Sequence, residues 1–301
     1  MSAADVSVLH RPNDRLWRRR AVNRSMEVLA WTAAALAVAL LGLLVWSVAK
    51  RGAGALNLDL ITKSQATNAF ALHPPPQGLA NAFIGTFIIV GLATAMALPF
   101  GILVAIYVNE FAPKAVKKFL SPSLDILNGI PAIVIGIFVF GLIVVGHGQS
   151  GIAGAFALAI LMLPLVARAT IEVLALVPDS LREASLGLGV PRWRTTIGIV
   201  LPQTIGGILT GTVLAVARVA GETAPLLFTT SIVGTAINTN PTQALQSVPV
   251  AIFELSESPT PADHARAWAA ALVLLLFILV TSLTARWFAN RSRQKIRRAS
   301  E

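Results

Sequence analysis

Cysteine is absent from the 301 residues. That absence excludes disulfides, iron-sulfur clusters and thiolate zinc sites, and it removes any sign of redox compartment. Histidine is scarce too: His10, His73, His147 and His264 lie far apart, without the spacing of a metal-ligand set. Charged residues make up only 13% of the chain, and the acidic ones are the scarcer kind, 14 against 24 Lys and Arg. No Gly-x-x-x-x-Gly-Lys-Ser/Thr run occurs, so there is no P-loop with which to cradle a nucleotide. The net charge of +10 does not point to nucleic acid, because the basic residues flank apolar runs instead of sharing one polar face.

What the chain has in quantity is apolar sequence: 55% hydrophobic residues and a mean hydropathy of +0.73. This composition, repeated in long runs, predicts an all-helical protein that crosses a membrane several times. The 22 uncharged residues between Glu27 and Lys50 span about 33 Å as a helix, one full crossing. This run is longer than the core of a signal peptide and no small-residue cleavage site follows it, so it is expected to stay as an anchor. A second span fits Leu79 to Val108. The uncharged run from Ile126 to Ala167 is too long for one helix and reads as a hairpin, the third and fourth spans, split at Gly146-His147-Gly148-Gln149-Ser150-Gly151. A fifth span is predicted from Gln203 to about Ala224 and a sixth between Arg266 and Arg286.

Six spans put both termini on one side, and the basic residues say which. Nineteen of them fall in the N-terminal tail, the loop after the second span, the stretch Arg168 to Arg194 and the C-terminal tail, against only Lys50, Arg51, Lys63 and Arg266 opposite. Lys and Arg near short loops favour the cytoplasm, so both termini are expected there. Residues 1–26 and 290–301 read as polar tails without domain character, flanking a membrane domain over 27–289. Pro99, Pro131 and Pro164 fall within apolar runs and should bend them. His73-Pro74-Pro75-Pro76 predicts an extended spacer, and Asn128-Gly129-Ile130-Pro131 a weakened turn opening the third span. Thr223 to Phe253, uncharged but broken by Pro225, Gly234, Pro241 and Pro249, reads as a partly buried re-entrant segment.

Two polar features interrupt this pattern. The first is Val177 to Pro202, VPDSLREASLGLGVPRWRTTIGIVLP. Ser180 and Glu183 have capping-box spacing and predict a helix from Leu181. Gly187 and Gly189 permit its end, and Pro191 suits the first turn of a second helix carrying Trp193 and Ile197. Glu183 has a plain role available as a cap. The second feature is Arg218 and Glu222, four residues apart, which predicts an ion pair on one face of the fifth helix. An Arg at a helix centre in the bilayer costs roughly 2.5–3.5 kcal/mol, which makes a ligand pathway the default reading and a packing salt bridge the plain one. Pro225 weakens the helix beside Glu222, and a guanidinium fork suits an anion.

The first feature resembles the inner-membrane permeases of ABC importers, whose cytoplasmic loop carries Glu-Ala-Ala, then Gly, then Ile-x-Leu-Pro. Here Glu183-Ala184-Ser185 is followed at the family's spacing by Gly189 and by Ile199-Val200-Leu201-Pro202, with Ser185 in place of the second Ala. The second feature resembles the phosphate-specific branch, the PstA type, through Arg218-Val219-Ala220-Gly221-Glu222-Thr223-Ala224-Pro225-Leu226-Leu227-Phe228-Thr229. The likeness extends to Gly129-Ile130-Pro131, Leu163-Pro164, Arg168 and Val177-Pro178, with Ala132 where many relatives have Ser.

The resemblance implies a six-helix type I importer permease in a bacterial inner membrane, and a transport subunit, not an enzyme. It implies an ATPase docking loop in which Glu183, Ala184, Ser185, Gly189, Ile199, Leu201 and Pro202 take part, and a phosphate pathway through Arg218, Glu222, Thr223 and Arg168. The implied partners are a second permease, two copies of a cytoplasmic P-loop ATPase that holds the ATP and Mg, and an extracytoplasmic phosphate-binding protein; this chain itself would bind no cofactor. Two rival readings remain at this stage. One is an intramembrane protease using Ser150 of Gly148-Gln149-Ser150-Gly151 with His147 or His264. The other is a channel or ion-coupled transporter, which leaves the Val177–Pro202 pattern unexplained.

Overall fold

A computed structural model describes residues 14–65, 77–231 and 236–299; the expected His73–Pro76 spacer and Gly234 lie outside them. Helices make up the fold, and no strand occurs among the described residues. Among the described residues five helices are long and apolar enough to cross a membrane, and six spans result if a helix pair bent by 90° counts as one. The chain is therefore a multi-pass membrane protein, as the apolar runs predict.

Two compact units divide the chain at Lys50. The first holds all but the last two residues of helix α1, Asp14–Gly52, whose 39 residues run about 58 Å, nearly twice the bilayer core. The N-terminal polar tail is thus helical from Asp14. The reason is local: Leu, Arg and Ala between residues 16 and 21 are strong helix formers, and Asp14 lies where a negative charge favours the helix start. The opposite tail is helical as well, since the last helix, α13 (Pro261–Ala299), continues to Ala299.

The second unit is built around α3 (Ala80–Ile106) and α7 (Gly151–Leu174), with a short α2 (Leu58–Thr62) before α3. Ile89, Ala93 and Ala97 of α3 meet Leu158, Met162 and Val166 of α7 in the main core. Helix pairs in lipid gain nothing from excluding water, so close packing by small residues holds them together. Gly207 admits Val173 and Gly211 admits Ala169 at distances where a side-chain carbon would collide, and Gly101 admits Val166 where one would be tightly squeezed.

The third span departs from expectation. The run from Ile126 is split: α4 (Lys114–Gly129) ends, and α5 (Ala132–Val139) starts after a 90° turn, continuing through a π-turn at Phe140–Val144 into α6 (Val145–His147). Pro131 forces Ile130 into extended backbone (φ −66°, ψ 129°) and ends α4 there. Helix α4 exposes Lys114, Lys117 and Lys118 while burying Leu124, the pattern of a helix lying along a surface. The hairpin turn forms as predicted, with Gly148 at φ +83° and Ser150 accepting from the Ala153 amide (3.1 Å) as the cap of α7. That assignment removes the protease reading: Ser150 is buried in a structural role, while His147 and His264 pair with backbone carbonyls.

The segment expected to be re-entrant is partly buried over its described residues. After α11 (Ala224–Thr229) the chain folds back through buried Thr230, Leu245, Gln246 and Ser247 into α12 (Val248–Glu257). Its carbonyls serve the start of α7: Thr229, Gln243 and Pro241 accept from the amides of Ser150, Gly151 and Ile152 at 2.9–3.1 Å. These are donors that a helix start leaves unpaired.

In the loop, α8 runs Asp179–Gly187, so it begins two residues before Leu181, and the Ser180–Glu183 capping box does not form. Pro178 (φ −61°, ψ 140°) supplies the entry turn and Asp179 the favourable charge in the first turn. The exit is as predicted, with the Gly189 amide donating to Leu186 O (2.9 Å) and the Val190 amide to Ser185 O (3.2 Å) around a Gly189 at φ +79°. Then α9 (Arg192–Thr195), a π-turn (Thr196–Val200) and α10 (Leu201–Val219) form one 28-residue span. The fifth span therefore starts eleven residues before the predicted Gln203 and stops at Val219. Because only glycine adopts the left-handed conformation readily, Gly189→Ala should weaken the end of α8 by about 1–2 kcal/mol. Amide exchange over residues 184–190 should quicken roughly 5–30-fold, with the spans unaffected.

Candidate functional site

The loop and the charged stretch of the fifth span occupy the two ends of the Arg192–Val219 helix. At the loop end, Glu183, Ala184 and Gly189 are exposed and Ser185 is buried. The Ser185 hydroxyl pairs with that of Thr195 at 2.8 Å, tying α8 to α9. An Ala at position 185 has no such tie, so the Ser that departs from the family pattern does structural work here. Ile199 and Leu201 are half-buried and Pro202 is exposed at the second position of α10. Leu186, Leu188 and Trp193 are also exposed, Leu188 by 84%, on a loop otherwise rich in charge. Apolar side chains open on a polar element mark a contact surface. Beside them lies a cleft of about 470 Å³, lined by Asn109, Lys117, Asp179, Glu183 and Arg192 among others.

Sequence reasoning missed the group that holds this loop in place. The Arg182 guanidinium donates from Nε to Glu110 Oε2 (3.2 Å) and from Nη2 to Glu110 Oε1 (2.9 Å). It also donates from Nη1 to Val177 O (2.6 Å) and Asp179 Oδ1 (3.0 Å), and from Nη2 to Leu174 O (2.9 Å). Glu110 stands in a π-turn, Tyr107–Phe111, that ends the second span, and Asn109 Nδ2 supplies it with a further bond of 2.8 Å. The Glu110 hydrogen bonds raise the Arg182 pKa above its ordinary value, against the opposing effect of burial. The partners are 72 residues apart, and no local spacing announces them. The only signal was a Glu at one span end and an Arg beside the loop.

At the other end, the predicted ion pair is absent: among the described residues, neither Arg218 nor Glu222 joins a salt bridge. Four-residue spacing pairs side chains only while the helix lasts. Here α10 ends at Val219, Gly221 and Glu222 donate their amides back to Arg218 O (3.2 Å) and Val219 O (3.1 Å), and the chain leaves the helix before Thr223. Arg218 is exposed, while Glu222 and Thr223 are half-buried. The next helix, α11, is pressed onto α5, where a carbon on Gly136 would sit 2.6 Å from Pro225 Cα and the Phe140 and Phe228 rings meet edge-on at 6.5 Å. An interrupted span with a free guanidinium at the break is an arrangement able to bind an anion within the membrane.

Arg168, also predicted for the pathway, has its fork occupied: Nε lies 2.8 Å from Asp125 Oδ1 and Nη2 3.1 Å from Oδ2, joining α7 to α4. Among the described residues no group of His, Asp or Glu converges as a metal site.

Residues 97–294 match the family described as binding-protein-dependent transport system inner membrane component. A phosphate transport system permease protein PstA of Yersinia pestis is 40% identical over 284 residues, covering 90% of each chain. PstA 1 of Mycobacterium tuberculosis is 37% identical and covers 92% of this chain and 91% of its own. Among solved structures, a bacterial alginate ABC transporter chain aligns over 92% of this chain and 98% of its own with a TM-score of 0.62 at 15% identity. A MetNI methionine ABC transporter chain in an inward-facing conformation aligns over 71% and 93% with a TM-score of 0.55 at 16% identity. These two likenesses carry the fold.

Because Pro225 backbone leaves no room at Gly136, Gly136→Ala should destabilise the folded chain by about 1–3 kcal/mol through overpacking. Thermal unfolding of the purified protein in detergent reads this directly; a variant as heat-resistant as the parent would show that α5 and α11 are not in firm contact.

Proposed function

Since the chain belongs to the binding-protein-dependent transport system inner membrane components, and among them to the PstA phosphate permeases, we propose that it carries inorganic phosphate across the bacterial cytoplasmic membrane. It is a transport subunit, and ATP hydrolysis falls to a separate ATPase subunit. The observation that carries the reading is the single helix from Arg192 to Val219, which has the exposed loop at one end and the unpaired Arg218 at the other.

The loop, with Glu183, Ala184, Ser185, Gly189, Ile199, Leu201 and Pro202, is the part the ATPase grips, and its open Leu186, Leu188 and Trp193 supply the apolar contact. Both termini lie on that cytoplasmic side. ATP and Mg stay with the ATPase, and this chain holds no cofactor of its own.

Arg218 exposed to lipid would cost roughly 2.5–3.5 kcal/mol, so its face belongs to a polar passage or to another chain. A second, similar permease meets both requirements, and the passage then runs between the two. Two ATPase copies complete the assembly below and a phosphate-binding protein above. In the passage the Arg218 fork receives phosphate oxygens, Thr223 offers a hydroxyl, and Glu222 balances the charge when the site is empty. Arg168 enters only when its pair with Asp125 opens, at the inner mouth. ATP-driven closure of the ATPase pair switches the passage from inward-open to outward-open.

Arg218→Gln should abolish phosphate uptake in reconstituted liposomes while the complex still assembles; a stably assembled mutant with normal uptake would remove Arg218 from the passage. Glu183→Lys should sever transport from hydrolysis, read as loss of the ATPase stimulation that phosphate-loaded binding protein produces. Stimulation unchanged in that variant would refute the docking role.

A further inference from the structure

Helix α8 buries a single residue, Ser185, and its nine residues are too few to persist without support. Packing therefore gives α8 itself almost no grip on the membrane helices, and a push on an element so loosely seated would be lost as local tilting. The grip is polar. Through Arg182 the loop reaches the π-turn at the end of α3 by two bonds to Glu110, and the open end of α7 by a bond to Leu174 O, while a further bond to Val177 O ties down the loop's own first residue. Glu110 is only 8% exposed and its oxygens are all engaged by Arg182 and Asn109, which fixes one geometry for the joint. Leu174 O is the last carbonyl of the fourth span, at the end where helix carbonyls lack partners and a cation is favoured. Behind the joint, Val108, Leu124, Ala167, Leu174, Val177 and Val200 form a buried cluster shared by α3, α4, α7 and the base of the fifth span.

We propose that Arg182, locked by Glu110, is the positioning residue that makes the docking loop move as one body with the ends of the second and fourth spans. The Ser185–Thr195 bond carries the same movement into the fifth. Arg182 touches neither phosphate nor nucleotide; it acts by keeping the loop in register with the helices that carry the passage. Lysine cannot substitute fully, because a single ammonium does not reproduce a planar fork that serves a carboxylate and two carbonyls together. The inference rests on the reading of Val177–Pro202 as the ATPase docking loop.

The test uses the complete transporter, with the second permease, the ATPase and the binding protein, in liposomes, and reads phosphate taken up per ATP hydrolysed. This ratio does not depend on how much complex assembles, so a merely structural role leaves it unchanged. Arg182→Met should lower it roughly fivefold or more, the scale of coupling between distant sites, and Arg182→Lys should lower it less. A ratio equal to wild type in Arg182→Met overturns the proposal even if the yield falls. Should that variant not assemble, Glu110→Gln, which keeps the side-chain volume and removes the charge, decides by the same two outcomes. A wild-type complex whose hydrolysis ignores phosphate-loaded binding protein would instead remove the docking-loop reading beneath it.

Discussion

A chain in hydrocarbon must satisfy its backbone donors and acceptors from within, and every irregular feature of this molecule has been shaped by that demand. At the two ends of α7, other parts of the chain supply the missing partners. The re-entrant segment gives its carbonyls at Thr229, Pro241 and Gln243 to the opening amides of α7. Arg182 gives a guanidinium proton to the closing carbonyl of the same helix, Leu174 O, at the other end. Helix α7 is thus completed at its two ends by two unrelated devices, and both belong to the segments through which a permease must work. Its central position against α3 makes it the fixed axis against which the others are placed.

The apolar runs made the number of spans legible, because about twenty uncharged residues have little alternative to a membrane helix. Gly148, Gly189 and Pro131 were equally readable, sitting where the backbone turns, since each acts on its own φ and ψ and needs no distant partner; Pro99 and Pro164 instead lie inside the unbroken α3 and α7. Boundaries were read less well. Pro178 started α8 earlier than the Ser180 cap predicted, and the third span lost its first residues to α4 because Pro131 ended that helix locally.

Side-chain partnerships were the least legible, for a physical reason. Spacing of four residues suggested an Arg218–Glu222 pair, yet the rule presumes a helix that stops at Val219. The pairs that exist, Arg182 with Glu110 and Arg168 with Asp125, join residues 72 and 43 positions apart. Their geometry is set by how spans pack, which sequence periodicity does not encode. The charged residues themselves stood out readily, since ionised groups near the bilayer are rare; what each one meets required the fold.

The helix from Arg192 to Val219 carries a constraint of its own kind. Each residue of an α-helix advances the axis by about 1.5 Å and turns it by about 100°. One residue gained or lost between Trp193 and Arg218 would therefore swing the guanidinium to another face while leaving the loop where it was. The π-turn at Thr196–Val200, which winds one residue more into its turn than an α-helix does, sets that phase. In such a rod, length is information: loops elsewhere in the chain can grow or shrink, but here the count of residues is itself part of the site.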